Sequence, residues 1–146
     1  MDVRDRLATI KLKTFLKTSG GKGLHVVLPI KSTPWEDAKT FARTVAEAME
    51  ADAPDRYVSS ATKAKRGKRI FIDYLRNSRE ATAVAPYSTR ARAGAPVSVP
   101  IDWSELRTLK AANQYTVQNL TQRLSRLRKD PWAGIGGLKQ TLPRLK

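Results

Sequence analysis

Hydrophobic positions along the chain fall into short runs whose period changes from helical to strand-like and back. Val3, Leu7 and Ile10 recur at helical spacing and predict a helix over residues 2–10, one that starts without a clear cap, as a helix cut in its middle would. Lys13 to Lys17 and Leu24 to Ile30 read as strands flanking a Gly-rich turn, the arrangement of a hairpin. Alternation in the second run puts Leu24, Val26, Leu28 and Ile30 on one face and His25 with Val27 on the other. Thr33 is placed to cap a following helix, with Pro34 at its first position and Glu36 completing a capping box. The apolar stripe Ala38, Phe41, Ala42, Val45 and Met49 needs a sheet face to cover, and the Leu24/Val26/Leu28 face is the expected partner. His25 would then lie on the open face.

Further along, the run RIFID, Arg69 to Asp73, alternates Ile70 and Ile72 against Phe71 and Asp73, so Asp73 is expected on the open face with His25. ATAVA, residues 81–85, reads as another short strand, and PYSTRARAGAPVSVP as a loop rich in Pro and Arg. Asp102 with Glu105 caps a short helix, and Val117, Leu120, Leu124 and Leu127 mark a longer amphipathic one. A glycine break over Gly134 to Gly137 predicts a loosely packed tail. This order of elements predicts an α+β fold, a largely antiparallel sheet with helices on one face and a working face opposite. One domain is expected over residues 1–146: a truncated helix over 1–10, the sheet and main helix over 11–100, and a helical region over 101–146.

Charge narrows the class of partner. The chain has 28 Lys and Arg against 13 Asp and Glu, a formal net charge of +15, which points to a polyanion. No long apolar span or basic helix with bulky apolar anchors is present, so nucleic acid fits better than a membrane. The basic run KAKRGKR supplies Lys63, Lys65, Arg66 and Lys68 as backbone contacts, with Arg92 a further one. A basic surface that serves solubility, or a ribosome-like structural role, is the alternative. The chain has no cysteine, which excludes disulfides and thiolate metal sites, and MDVRDRLATIKLK lacks the apolar core of a signal peptide; a cytoplasmic protein is expected.

The densest chemistry lies in KTSGGKGLH, Lys17 to His25, with two lysines, two hydroxyls, three glycines and the only histidine. Phosphate oxygens are bound by closely approaching backbone N–H groups, by hydroxyls and by lysine, and SGGKG offers all three. The spacing is not that of a Walker loop, and a strand follows instead of a helix, so P-loop nucleotide hydrolysis is not expected. The competing reading is a flexible glycine turn in a basic protein. Ser19, Lys22 and His25 are the candidate phosphate contacts, and Arg90 and Arg92 could clamp phosphates bidentately, against the alternative of arginines that contact solvent or nucleic-acid backbone. Asp73, ending an apolar strand and followed by Arg76, suits a Mg²⁺ or Mn²⁺ ligand, against the alternative of a turn or cap aspartate. Two-metal phosphoryl transfer needs several carboxylates, and Asp73 is the one in a convincing setting.

Together KTSGGKGLHVVLP, RGKRIFIDYLRN and ATAVAPYSTRARAGAPVSVPIDW resemble the polymerase domain of bacterial ATP-dependent DNA ligase D, a member of the archaeo-eukaryotic primase superfamily that acts in non-homologous end joining. The resemblance covers roughly residues 5 to 135 and implies that Ser19 and His25 hold the triphosphate of an incoming nucleotide, with Lys22 beside them. It implies that Asp73 is a catalytic metal-ligand aspartate, that Arg76 and Arg90 lie near the nucleotide phosphates, and that the metals are Mn²⁺ or Mg²⁺. The partners it implies are DNA ends, a nucleoside triphosphate, an N-terminal polymerase half, a ligase domain and Ku. The family's D-x-D metal motif has no counterpart placed to replace it; Asp52 and Asp55 differ in spacing and follow the Gly-rich motif. The chain is therefore expected to be the C-terminal half of such a domain, a partial primase-polymerase catalytic subdomain that is not active by itself. The alternatives are a non-catalytic nucleic-acid-binding module, or one half of a split polymerase complemented by an upstream polypeptide or by a second copy paired through an exposed strand edge.

Overall fold

The computed structural model describes residues 2–144. Along the chain the elements are α1 (Asp2–Thr9), β1 (Phe15–Thr18), β2 (Leu24–Val27), α2 (Trp35–Asp52), β3 (Tyr57–Val58), α3 (Lys63–Arg66), β4 (Ile70–Phe71), β5 (Pro100–Ile101) and α4 (Leu120–Arg126), with 3-10 turns at Trp103–Arg107 and Ile135–Gly137. They form two compact units: residues up to Pro29 with Val84–Gln140, and Ile30–Ala83 with the residues from Thr141.

The first unit is built on a three-stranded antiparallel sheet ordered β2-β1-β5. As the central strand, β1 is buried along its whole length, and neither of its faces carries a solvent row. Leu16 pairs with Ile101 and Val26, while Lys17 pairs with Pro100 and His25. Residues directly opposite in an antiparallel ladder project to the same side, so Phe15, Lys17, Val27 and His25 share one face. The run Val97–Ile101 is almost fully buried, although all of it but Ile101 falls in the stretch expected to be loop. Pro100 is tolerated there because β5 lies at the edge of the sheet, where a missing N–H breaks no ladder. The hairpin is as the pattern predicts, but its burial is reversed: Leu24 and Val26 are 38% and 37% exposed, and His25 and Val27 are half-buried.

Three further stretches depart from the pattern. The tail is anchored: Trp132 donates its indole N–H to the Leu16 carbonyl at 2.8 Å and meets Phe15 edge-on, with ring centroids 6.3 Å apart. Residues 81–85 form no strand. The amphipathic helix is shorter than expected, and Val117 and Leu124 remain exposed; Arg123 fastens it instead, bonding Glu105 at 2.6 Å and the Pro100 carbonyl at 3.0 Å. The capping box at Asp102 and Glu105 forms as expected: Asp102 accepts from the Ser104 amide at 2.9 Å, and Glu105 accepts from the Asp102 amide at 2.6 Å.

In the second unit α2 buries Phe41, Val45, Ala46 and Met49 and packs on β3, whose Tyr57 and Val58 are themselves buried. Its cap differs from expectation. The Thr33 hydroxyl turns back to donate to the Lys31 carbonyl at 2.8 Å, and Pro34 is the cap residue, which moves Glu36 one position too early for a capping box. β3 and β4 pair in parallel, so this unit departs from the antiparallel expectation. Glu50 bridges α2 to the end of β3 by accepting from the amide and hydroxyl of Ser59 at 2.8 and 2.5 Å, bonds that hold its carboxyl below the usual range.

Candidate functional site

The tight turn after β1 positions the first group of candidate residues. Gly20 has a φ of +64°, a conformation that costs an L-residue about 1–2 kcal/mol. Its amide donates to the Ala112 carbonyl at 3.1 Å, and a Cβ placed on it would come within 2.9 Å of Arg90 Cγ and 3.3 Å of the Pro96 carbonyl oxygen. Glycine therefore lets the Arg90 side chain lie directly on the backbone. Ser19 is buried beside it, with its hydroxyl donating to the Gly23 carbonyl at 2.5 Å and accepting from the Gly21 amide at 3.1 Å. These bonds close the loop into a compact ring, in which the Ser19 amide also donates to the Gly23 carbonyl at 3.1 Å.

Closing the ring this way leaves donors pointing elsewhere. The amides of Lys22 and Gly23 bond no protein acceptor among the described residues, and the Lys22 side chain is exposed. Arg90 reaches over the turn to donate from Nη1 to the Ser19 carbonyl at 3.3 Å, which leaves most of its fork of donors available. The Arg92 guanidinium lies along Gly21: a Cβ there would be 3.7 Å from Arg92 Nη1. His25 follows on β2, half-buried and directly opposite Lys17. The structure thus brings Ser19, Lys22, His25, Arg90 and Arg92 around one glycine turn, a concentration of donors and positive charge suited to a polyphosphate.

Lys17 belongs to this group, yet hydropathy alone does not single it out. It is 4% exposed, with its ammonium donating to the Val84 carbonyl and, at 3.0 Å, to the Ser98 hydroxyl. Burial, and the nearby Arg90 charge after it, lower its pKa to about 8. A lysine in a strand run ordinarily marks a solvent-facing position. Its burial follows from β1 being central, and the signal available in the sequence is its place two residues before Ser19.

The second unit carries the other candidates. The chain leaves the β4 ladder after Phe71, so Asp73 lies past the strand in an exposed turn, not on a strand face. Its Oδ1 accepts from the Leu75 amide at 3.1 Å and Oδ2 lies 3.7 Å from Arg76 Nε. Arg76 is exposed and reaches the Thr82 carbonyl at 3.4 Å. A divalent cation takes several oxygen ligands, and among the described residues no group of three His, Cys, Asp or Glu could hold one. Asp73 on its own therefore does not fit a two-metal centre. On and after α3, Lys63, Lys65 and Lys68 are exposed, while the Arg66 guanidinium stacks on Phe71 at 4.3 Å from the ring centroid. Arg69 ties the segment down through the carbonyls of Pro54 and Lys65, so the lysines project from a fixed turn. No helix among the described residues is long and apolar enough to cross a membrane.

Comparison with known proteins shows the family to which the fold belongs. The family model described as "LigD, primase-polymerase domain" matches residues 1–132. A multifunctional non-homologous end joining protein LigD from Pseudomonas aeruginosa is 44% identical over 138 residues, 93% of this chain and 16% of that protein. The corresponding DNA repair protein of Mycobacterium tuberculosis is 38% identical over 125 residues, covering 85% of this chain and 16% of its own length. A solved structure, the polymerase domain from Mycobacterium tuberculosis ligase D in complex with DNA, matches with a TM-score of 0.83 and 33% identity over 94% of this chain and 48% of that one. The chain spans only a fraction of the length of each of these proteins. Its mixed helices and antiparallel sheet are the fold of that domain, and the chain belongs to the LigD primase-polymerase domain family.

Proposed function

We propose that this chain forms the nucleoside-triphosphate-binding part of a primase-polymerase that adds nucleotides to DNA ends in non-homologous end joining. The observation that carries this reading is the glycine turn, where Ser19 closes a ring that leaves the Lys22 and Gly23 amides undirected to protein and lays Arg90 across it. Phosphate oxygens accept from those amides, from the Lys22 ammonium, from the His25 ring and from the Arg90 fork. Asp73 is the proposed metal-ligating catalytic carboxylate once further carboxylates join it, and Arg76 beside it is the proposed further cation for a nucleotide phosphate. Lys63, Lys65, Arg66, Lys68 and Arg92 bind the DNA backbone, an interaction weakened by salt.

Nucleotidyl transfer in this family generally uses divalent metals; Mn²⁺ or Mg²⁺ is the proposed ion, and when bound it would activate the attacking hydroxyl and neutralise the leaving pyrophosphate. Asp73 needs further carboxylates to hold them, so this chain by itself binds nucleotide and DNA without extending a primer. The proposed partners are an N-terminal polymerase half, a ligase domain and Ku, and the proposed location is the cytoplasm. Calorimetric titration with a nucleoside, its monophosphate and its triphosphate should show affinity climbing with each phosphate. Equal affinity across that series would overturn the nucleotide reading. Mn²⁺-dependent, templated primer extension by this chain alone, abolished by Asp73→Asn, would overturn the assignment of a non-autonomous role.

A further inference from the structure

Lys17 is a buried ammonium on the strand leading into the glycine turn, and it has no anionic partner among the described residues. Its two hydrogen-bond acceptors, the Val84 carbonyl and the Ser98 hydroxyl, are neutral, and the charged group that acts on it electrostatically is another cation, Arg90. Buried charges are ordinarily paired, and an unpaired one is costly to keep. Ser98 does not need Lys17 for its own satisfaction, because its hydroxyl donates to the Thr18 carbonyl at 2.7 Å. The fold therefore tolerates a charge that its own bonding does not require.

The position of that charge explains what it is for. Lys17 lies two residues before Ser19, at the end of β1 that leads into the turn, and stands directly opposite His25 in the β1–β2 register. We propose that Lys17 is a positioning residue for the bound phosphates, a fixed positive charge on the strand that leads into the Ser19–Gly23 ring, with the polyphosphate of the nucleotide as its counterion. An ammonium carries three donors, and two are spent on Val84 and Ser98, which fixes the charge in one place. In a poorly solvated site a fixed charge attracts an anion far more strongly than an exposed lysine does. This inference rests on the nucleotide-binding reading above and adds to it a residue that contributes charge from the strand leading into the turn.

Inorganic tripolyphosphate is the probe, because it carries the charge without base or sugar. Binding by the full chain would be measured for the wild type, Lys17→Met and Lys17→Gln, each with its thermal melting point; the glutamine is neutral but still offers a donor to Val84. Both variants should fold and melt within a few degrees of wild type or above it, yet bind tripolyphosphate about tenfold or more weakly. Affinity for single-stranded DNA at fixed salt should change less than twofold. Variants that fold and bind tripolyphosphate like wild type overturn the role of Lys17 and leave the nucleotide reading standing. Failure of both variants to fold also overturns it, since the charge would then be structural. A wild-type chain that binds no tripolyphosphate overturns both.

Discussion

Gly20→Ala isolates the turn on which the site depends. At a φ of +64° an alanine costs about 1–2 kcal/mol from its Cβ against the backbone alone. The new Cβ would also meet Arg90 Cγ at 2.9 Å and the backbone of Pro96 and Val97 at 3.3 Å. Arg90 can swing aside, but the Pro96–Val97 backbone is held by bonds from the Arg90 amide to Pro96 and from the Val97 amide to Tyr115, at 2.7 and 2.8 Å. Overpacking of this kind adds about 1–2 kcal/mol. The stiffer unfolded chain gives back about 0.4–1 kcal/mol. The net is a destabilisation of about 2–3 kcal/mol, read as a fall in melting temperature of about 5–10 °C for a domain of this size. Gly23→Ala is the control: no atom lies within 4 Å of its Cβ, so it should stay within about 0.5 kcal/mol of wild type. Thermal melting followed by circular dichroism decides between them. If Gly20→Ala melts with Gly23→Ala, the strained turn does not hold Arg90 as described.

Other consequences are open to measurement. Trp132→Phe keeps the ring against Phe15 but removes the 2.8 Å donor to the Leu16 carbonyl, and should lower the urea unfolding free energy by about 1–2 kcal/mol; an unchanged midpoint would show the tail to be loosely attached. Asp102 is held below its ordinary carboxylate range by bonds from the Ser104 hydroxyl and amide. Its contribution is complete above its unfolded-state value and disappears as pH falls through the folded one, so Asp102→Asn should flatten the acid limb of the stability profile while changing its slope little above pH of about 6. An acid limb identical in the two proteins would count against that cap.

Much of this was readable from residue order, and the failures have definite causes. The hairpin, α2 and the Asp102–Glu105 box rest on local signals, periodicity and capping, that need no knowledge of the rest of the chain. Their details failed where tertiary packing took over. Alternation separated His25 from Leu24 and Val26 correctly, but could not say which row is covered, because that depends on β1 being buried on both faces. Lys17 is the clearest case, a lysine in the interior that hydropathy would place in solvent. Val97–Ile101 is hidden by Pro100 within it, which an edge strand accepts. Of the candidate site, the Ser19, Lys22, His25 and Arg90 grouping was legible through phosphate chemistry and family resemblance. The setting of Asp73 was not, since the end of a two-residue strand leaves no periodic trace.

The most direct measurement is an amide chemical-shift map of the full chain titrated with a nucleoside triphosphate. Saturable shifts centred on Ser19 to His25, with Arg90 and Arg92 among the affected residues, are the predicted result. Shifts confined to Lys63–Lys68, or none at saturating nucleotide, would contradict the assignment of the glycine turn as a triphosphate site.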